Sequence, residues 1–279
     1  MITASLVIYN NDPAEFGRAI SSFLNSTSTG EIWVSDNSPQ PLKNELFDNP
    51  RVHYHFNDRN LGFGAGHNKV IELLPSSTDF HLFLNPDIYF DPQVLQALED
   101  IMQHDREIGA VMPRISYPDG SLQRLAKLLP TPMDLIFRRF LPFIAMKATL
   151  NNRYELHGIP QDSVIEVPSI SGCFLLVRRN VLRRVGGFDE RYFMYMEDVD
   201  LVRQIGDTSK VMYVPMVNVV HGYAKGSYGN SKLLLWHVKS AIKYFNKWGW
   251  FSDRQRSLRN NAMLDRLSCL RGAQEKRGA

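Results

Sequence analysis

Four short segments hold most of the side chains that could do chemistry. Glu197-Asp198-Val199-Asp200 places three carboxylates at what reads as a helix start, directly after the aromatic run Tyr192-Phe193-Met194-Tyr195-Met196. An Asp among aromatics is desolvated, which raises its pKa and suits it to take a proton from a hydroxyl. The plainer reading is that these carboxylates only complement the helix dipole. Asn85-Pro86-Asp87 ends an apolar run, and a carboxylate at a strand tip is a hard-oxygen ligand for Mg²⁺ or Mn²⁺ bridging a diphosphate. It could equally be a turn. His221, in Val219-Val220-His221-Gly222-Tyr223, could be a second ligand beside Asp87 or a structural histidine. The remaining histidines show no metal-ligand spacing, and neither Cys173 nor Cys269 has a partner that would make it a nucleophile.

The fourth segment is Asn60-Leu61-Gly62-Phe63-Gly64-Ala65-Gly66-His67-Asn68. Glycines two apart let a backbone approach a ligand closely, and a helix after them, expected over 69–74, offers free N–H groups to an anion. A dinucleotide fingerprint would need glycine at position 67, which is His, and would follow the first strand rather than the third. A P-loop is excluded because no Gly-Lys-Ser/Thr follows. A flexible loop with a helix cap is the alternative.

These segments need elements to hold them. Residues 2–8 read as a buried strand. Asp12-Pro13-Ala14-Glu15 then reads as a capped helix start, with Phe16, Ala19, Ile20, Phe23 and Leu24 at helical spacing. Strands follow over 31–35, ending in Asp36-Asn37-Ser38, and over 52–56 and 80–84. Asp91-Pro92 opens a helix, and 110–112 closes the unit. Strands alternating with helices, on continuous apolar runs, predict a mostly parallel sheet covered on both faces. Ligands in such sheets sit at the carboxyl ends of strands, and here those ends carry Tyr9-Asn10, Asp36-Asn37, Asn60–Asn68 and Asn85–Asp87. Farther on, 164–168, 174–177 and 211–214 read as strands, 180–185 as a short helix, and 231–251 as an amphipathic helix. No repeat or clean linker interrupts the chain.

At 279 residues, with 44% hydrophobic and 22% charged residues, wholesale disorder is excluded. Two cysteines make no disulfide framework and fit a reducing compartment. The apolar run 2–9 lacks a basic leader, and no stretch approaches the ~20 apolar residues of a membrane span. The net charge of +3 conceals a strong asymmetry. Residues 232–279 hold 11 basic and three acidic residues, a net +8, and 124–153 carry a net +5. The rest of the chain is −10. Leu233, Leu234, Trp236, Ala241, Tyr244, Phe245 and Trp248 among lysines have the composition of a helix lying on an anionic membrane surface, or of one packing on the body. The apolar residues around Arg138-Arg139, from Leu135 to Ile144, suit the same surface or a lid.

Taken in order, these motifs resemble a family-2 glycosyltransferase with the GT-A fold, close to the bacterial rhamnosyltransferase branch. The matching segments are Leu6–Asn10, Asp36-Asn37-Ser38, Asn60–Asn68, Leu84–Ile88, Ser171–Arg179, Gly187–Leu201 and His221. They span about residues 2–245. The Gly-Phe-Gly-x-Gly-His-Asn and Asn-Pro-Asp forms tilt the resemblance toward rhamnose. It implies that Asp198 is the catalytic base, supported by Glu197 and Asp200. Asp36 would contact the nucleotide base, with Tyr9 and Asn37 beside it. Asn60, Gly62, Phe63, Gly64, Gly66, His67, Asn68 and Asn85 would line the donor diphosphate and sugar, and Gly172 would let the sugar pack on the backbone. Asp87 and His221 would hold the metal. The family's usual Asp-x-Asp reads Asn85-Pro86-Asp87 here, one carboxylate fewer.

The implied reaction is inverting transfer from dTDP-β-L-rhamnose to a polyprenyl-diphosphate-linked saccharide of a surface polysaccharide such as O-antigen or capsule. The implied location is cytoplasmic, peripheral on the inner face of the bacterial cytoplasmic membrane. The implied organisation is a catalytic domain over 1–230, with a donor half (1–115) and an acceptor half (116–230), followed by a basic helical region over 231–279. UDP-galactofuranose or UDP-GlcNAc as donor, and nucleotidyl transfer, are rival readings. A nucleic-acid binder would suit the basic tail, but the −10 body and the lack of a binding motif argue for no nucleic acid.

Overall fold

The computed structural model describes residues 1–137, 150–222 and 231–278. The N-terminal half follows the expected alternation: β1 (Ile2–Ile8), α1 (Pro13–Ser26), β2 (Glu31–Asp36), β3 (Val52–Phe56), α2 (Phe63–Ile71), β4 (Phe80–Leu84), β5 (Ile88–Phe90), α3 (Gln93–His104) and β6 (Ile108–Ser116). After it come β7 (Leu122–Gln123), β8 (Ile165–Glu166), β9 (Phe174–Arg178), α4 (Arg179–Val185), α5 (Glu197–Gly206), β10 (Lys210–His221), α6 (Ser231–Trp248) and α7 (Arg254–Gly278). The start of α1 is built as its sequence requires. The Asp12 carboxylate accepts from the Ala14 N–H, Pro13 opens the helix, and Phe16, Ala19, Ile20, Phe23 and Leu24 are buried.

The ten strands of the described residues join one sheet in the order β3-β2-β1-β4-β9-β6-β10-β5, with β7 on β6 and β8 on β10. The parallel expectation holds for β3-β2-β1-β4 and for β6-β10. It fails between them, where β9 runs antiparallel to both β4 and β6 and makes the sheet mixed. The reason is geometric. A fully buried strand has the same continuous apolar character in either direction, so hydrophobicity does not encode polarity. β10 runs past the expected end at Val214 to His221, with a register break between Val214 and Asn218. Pro215 falls in that break, and proline lacks the N–H to continue a ladder.

Helix α2 begins at Phe63 rather than after Asn68, so Gly64 and Gly66 lie inside it. Glycine inside a helix is costly, and packing explains its presence here. A Cβ on Gly66 would lie 2.9 Å from Val7 Cγ2, and one on Gly64 2.9 Å from Phe188 Cβ. The glycines therefore let the helix sit close on its neighbours.

The C-terminal helices are part of the packed body. Tyr192 and Met196 share a buried cluster with Ala241, Tyr244 and Phe245 of α6, and α7 sends Met263 and Leu267 into the main core. Arg203 and Asp253 form a buried bidentate pair at 2.7 and 2.8 Å. Three residues expected on a membrane, Ala241, Tyr244 and Phe245, thus face the protein instead, because the aromatic run before α5 offers them an apolar partner. The segment 138–149 lies outside the described residues, and among those described no helix is long and apolar enough to cross a membrane.

Candidate active site

The site forms where strand tips of different polarity meet. β4 ends at Leu84, opposite the first residue of antiparallel β9, Phe174. The Asn85 N–H then donates to the Cys173 carbonyl at 2.8 Å, so Ser171-Gly172 lies beside Asn85–Asp87. β5 pairs antiparallel with the end of β10, with Ile88 opposite His221. One residue outward, the Gly222 N–H donates to the Asp87 carbonyl at 2.7 Å. This register brings two residues 134 positions apart into contact: His221 Nε2 lies 3.1 Å from Asp87 Oδ1.

The His221 ring is clamped from behind. Its Nδ1 is 2.9 Å from Gln123 Oε1, while Gln123 Nε2 donates to the His221 carbonyl at 3.0 Å. With the amide placed this way round, Nδ1 carries the proton and Nε2 is aimed at the carboxylate. A neutral ring then presents a nitrogen and an oxygen lone pair to the same point, the arrangement of a shared cation. Asp87 Oδ1 is buried with no hydrogen-bond donor, which fits that reading. Among the described residues no group of three or more His, Cys, Asp or Glu side chains could hold a metal, so any ion here would need further ligands from a phosphate or water.

Asp198 sits on the other side of Cys173. Its Oδ2 accepts from the Gly172 N–H at 3.0 Å and lies 3.5 Å from Ser171 Oγ, and its Oδ1 accepts from the Val199 N–H at 2.8 Å. Gly172 serves this approach, since a Cβ there would lie 2.9 Å from Asp198 Cβ. Both Asp87 and Asp198 act electrostatically on the Cys173 thiol, whose pKa is pushed up to about 12, chiefly by burial. The desolvated carboxyl of the Glu197-Asp198 pair is Glu197. Burial first, then the neighbouring Asp198 charge, raises it to about 8, and its Oε2 has no partner. Tyr195 and Met196, just before α5, both have positive φ, at 67° and 70°. Side chains rarely adopt this conformation, and it marks the turn that aims the pair.

Asp200 does not reach this centre. It accepts from Trp248 Nε1 at 2.6 Å, Lys247 Nζ at 2.8 Å, Gln204 Nε2 at 2.8 Å and Tyr192 Oη at 3.3 Å. These bonds tie α5 to α6.

The donor-side residues divide. Asn37 Nδ2 donates to the Gly62 carbonyl at 3.0 Å, and Asn60 Oδ1 accepts the Gly62 N–H at 2.9 Å. Together they fix Gly62, whose φ is 87° and whose Cβ, if it had one, would clash with the Phe193 carbonyl. The Phe63 N–H is already given to that carbonyl at 3.2 Å, so the first turn of α2 is less open to an anion than expected. Tyr9 is half exposed beside this region.

Three residues expected to contact the donor bond within the protein. Asp36 is fully buried and accepts from the Ser38 N–H, the Leu42 N–H and Tyr54 Oη, at 2.8, 2.9 and 2.6 Å. His67 is fully buried among Phe63, Phe83 and Phe188, with Nδ1 2.7 Å from Ser5 Oγ. Asn68 bonds both the N–H and the carbonyl of Phe188, at 2.9 and 2.8 Å. His67 Nε2 is buried without a hydrogen-bond partner.

Gln123 was not anticipated, and Ser171 was named only as the start of a matching segment, without a role. Gln123 lies in the two-residue strand β7, where no periodicity can register, and Ser171 lies in the loop before β9.

The model for "Glycosyl transferase family 2" matches residues 5–186, a span that includes Asp87 and Gly172 and stops before Asp198 and His221. The chain is 35% identical over 176 residues to the "N-acetylglucosaminyl-diphospho-decaprenol L-rhamnosyltransferase" of Mycobacterium tuberculosis, covering 58% of this chain. The match covers only 56% of that relative's length. It is 29% identical over 225 residues to "Rhamnosyltransferase WbbL" of Escherichia coli K12, covering 74% of this chain and 76% of that protein. Two solved structures share the GT-A fold at 15% identity. GalNAc-T7 with UDP, GalNAc and Mn²⁺ superposes with TM-score 0.62, covering 89% of this chain and 48% of that one. The mannosyltransferase PcManGT of Pyrobaculum calidifontis, with GDP-Man and Mn²⁺, gives 0.54, covering 87% and 64%.

Proposed function

The chain belongs to glycosyl transferase family 2, and on that premise we propose that it moves L-rhamnose from dTDP-β-L-rhamnose to a hydroxyl of a polyprenyl-diphosphate-linked saccharide. The names of the mycobacterial and E. coli relatives support the sugar, and the mycobacterial name supports a lipid-diphosphate acceptor. The observation that carries the reading is convergence. One carboxylate suited to accept a proton, Asp198, and one carboxylate–imidazole pair suited to a cation, Asp87 and His221, flank the same Cys173 segment.

Asp198 takes the proton of the acceptor hydroxyl as that oxygen bonds to the anomeric carbon. The bond from that carbon to the diphosphate oxygen breaks on the opposite face, giving an α-L-rhamnoside and dTDP. The N–H groups of Gly172 and Val199 hold the Asp198 oxygens in place, and such orientation supplies much of the rate. Glu197, held protonated at neutral pH, keeps a second negative charge away from the base. Tyr9, Asn37, Asn60 and Gly62 form the donor wall. Asp87 and His221 would hold Mg²⁺ or Mn²⁺, which would neutralise charge on the leaving diphosphate. The setting is the inner face of the bacterial cytoplasmic membrane, with the protein peripheral to it.

A thermal-unfolding panel of nucleotide sugars tests this. dTDP-rhamnose should raise the midpoint more than UDP-GlcNAc or UDP-galactofuranose, in Mg²⁺ or Mn²⁺ but not in EDTA. Stabilisation by a different sugar nucleotide would reassign the donor, and none by any nucleotide would overturn the reading.

A further inference from the structure

Helix α6 has two faces with different fates. Its inner face is spent on the segment that leads into α5. Ser240 Oγ donates to the Met194 carbonyl at 2.8 Å, Trp236 packs on Phe193 with ring centroids 4.8 Å apart, and Ala241, Tyr244 and Phe245 are buried against Tyr192 and Met196. Its outer face carries exposed apolar residues. Leu235, Val238 and Ile242 are 52%, 41% and 42% exposed, at spacings of three and four residues, and exposed Lys239 falls in the same stripe. The helix carries four lysines and no acidic residue. Just past its end Phe251 is 90% exposed.

We propose that this outer stripe, Leu235-Val238-Lys239-Ile242, is where the protein meets an anionic lipid surface. An exposed apolar stripe interleaved with lysine, on a helix without acids, is complementary to acyl chains beneath anionic headgroups. The stripe is distinct from the residues that composition alone had marked for the membrane, most of which the fold has turned inward. The inference rests on the reading that the acceptor is lipid-linked. A surface helix whose inner face holds the approach to Asp198 would present the base to an acceptor arriving along the bilayer.

The test is co-sedimentation of the full chain with vesicles of phosphatidylcholine alone or mixed equally with phosphatidylglycerol. Binding should require phosphatidylglycerol and weaken with added salt. Lys239→Gln should cost about fivefold in vesicle affinity, and the double variant Leu235→Glu/Ile242→Glu more than tenfold. Both variants should melt at the wild-type temperature, because every substituted side chain is exposed. Binding to neutral vesicles as strong as to anionic ones, or full binding by the folded double variant, would overturn the proposal. So would a wild-type dimer that the double variant abolishes, which would assign the stripe to a second copy. The nucleotide-sugar thermal shift, measured on the same preparations, reports separately on the donor reading.

Discussion

At the scale of single residues, the arrangement around Asp198 separates binding from chemistry. Its carboxylate accepts from backbone N–H groups at Gly172 and Val199, and an amide of the same shape can still fill the space while losing basicity. Asp198→Asn should therefore keep the donor-induced thermal shift and lower kcat by about 10²–10⁴-fold; near-normal turnover would remove Asp198 as the base. Gln123 offers a second reading of the same kind. Gln123 holds His221 at two points, bonding the ring at Nδ1 and the main-chain carbonyl. Gln123→Leu should weaken Mn²⁺ binding, titrated by the ion's magnetic resonance signal, about 10–100-fold while leaving the fold intact. An unchanged Mn²⁺ affinity would show that His221 needs no clamp or holds no ion. Asp87, Asp198 and His221 could be named from residue type and position at strand and helix ends. Asp36 and His67 could be named but not placed. Polar residues at strand tips look alike in a sequence whether they face a ligand or, as Asp36 does, satisfy the turn that follows.

At the scale of elements, α1 and the strands β1 to β4 were legible because each is an apolar run between turn formers. The short strands β5 and β7, of three and two residues, were not, because they hold no full period of any pattern, while β8 is a two-residue core of the strand expected over 164–168. β5 nevertheless sets the register that joins Asp87 to His221. Helix α7 was expected only as part of a basic helical region over 231–279, without bounds of its own: its buried residues, Arg256, Asn260, Met263 and Leu267, mix polar with apolar, so its amphipathic signal is weak. Polar anchors take the place of an apolar stripe. Asn260 exchanges two hydrogen bonds with the Leu129 backbone, both at 2.9 Å, and Asp253 grips Arg203. Burial tends to raise the Asp253 carboxyl, but the Arg203 hydrogen bonds and the Arg256 N–H outweigh it and hold it below the usual carboxylate range. Asp253→Asn leaves the Arg203 guanidinium buried without its counter-ion and should destabilise the protein by about 3–5 kcal/mol in urea unfolding. Because Arg203 also stacks on Trp248, which bonds Asp200, the loss should reach α5 and lower kcat as well. A stability change under ~1 kcal/mol would mean that α6 and α7 are held by their apolar contacts alone.

At the scale of the whole molecule, the buried titratable groups set an optimum of stability. Beneath the site, His67, Ser5, His81 and Thr3 form a hydrogen-bonded chain with links of 2.7, 2.8 and 2.9 Å. Burial holds His67 neutral to well below its ordinary range and lowers His81 to about 3. Between about pH 6.5 and 3 the unfolded chain takes up protons on both histidines that the folded chain refuses. Stability from this source is complete above pH 6.5 and falls on acidification, by up to about 1.4 kcal/mol per pH unit for each ring. Glu197 acts with the opposite sign. Its folded pKa of about 8 lies above its ordinary value of 4.5, so the unfolded chain releases a proton first and stability falls as the pH rises from 4.5 to 8. Where the ranges overlap, two histidines outweigh one glutamate, and the net slope still favours higher pH. Above 6.5 only the glutamate remains. Urea midpoints measured across this range should therefore peak near pH 6.5. Glu197→Gln should flatten the alkaline side and steepen the acid side between pH 4.5 and 6.5, where Glu197 no longer opposes the histidines. A peak that stays sharp on the alkaline side in that variant would mean that Glu197 is ionised in the folded protein, and would leave Asp198 with a charged neighbour rather than a neutral one.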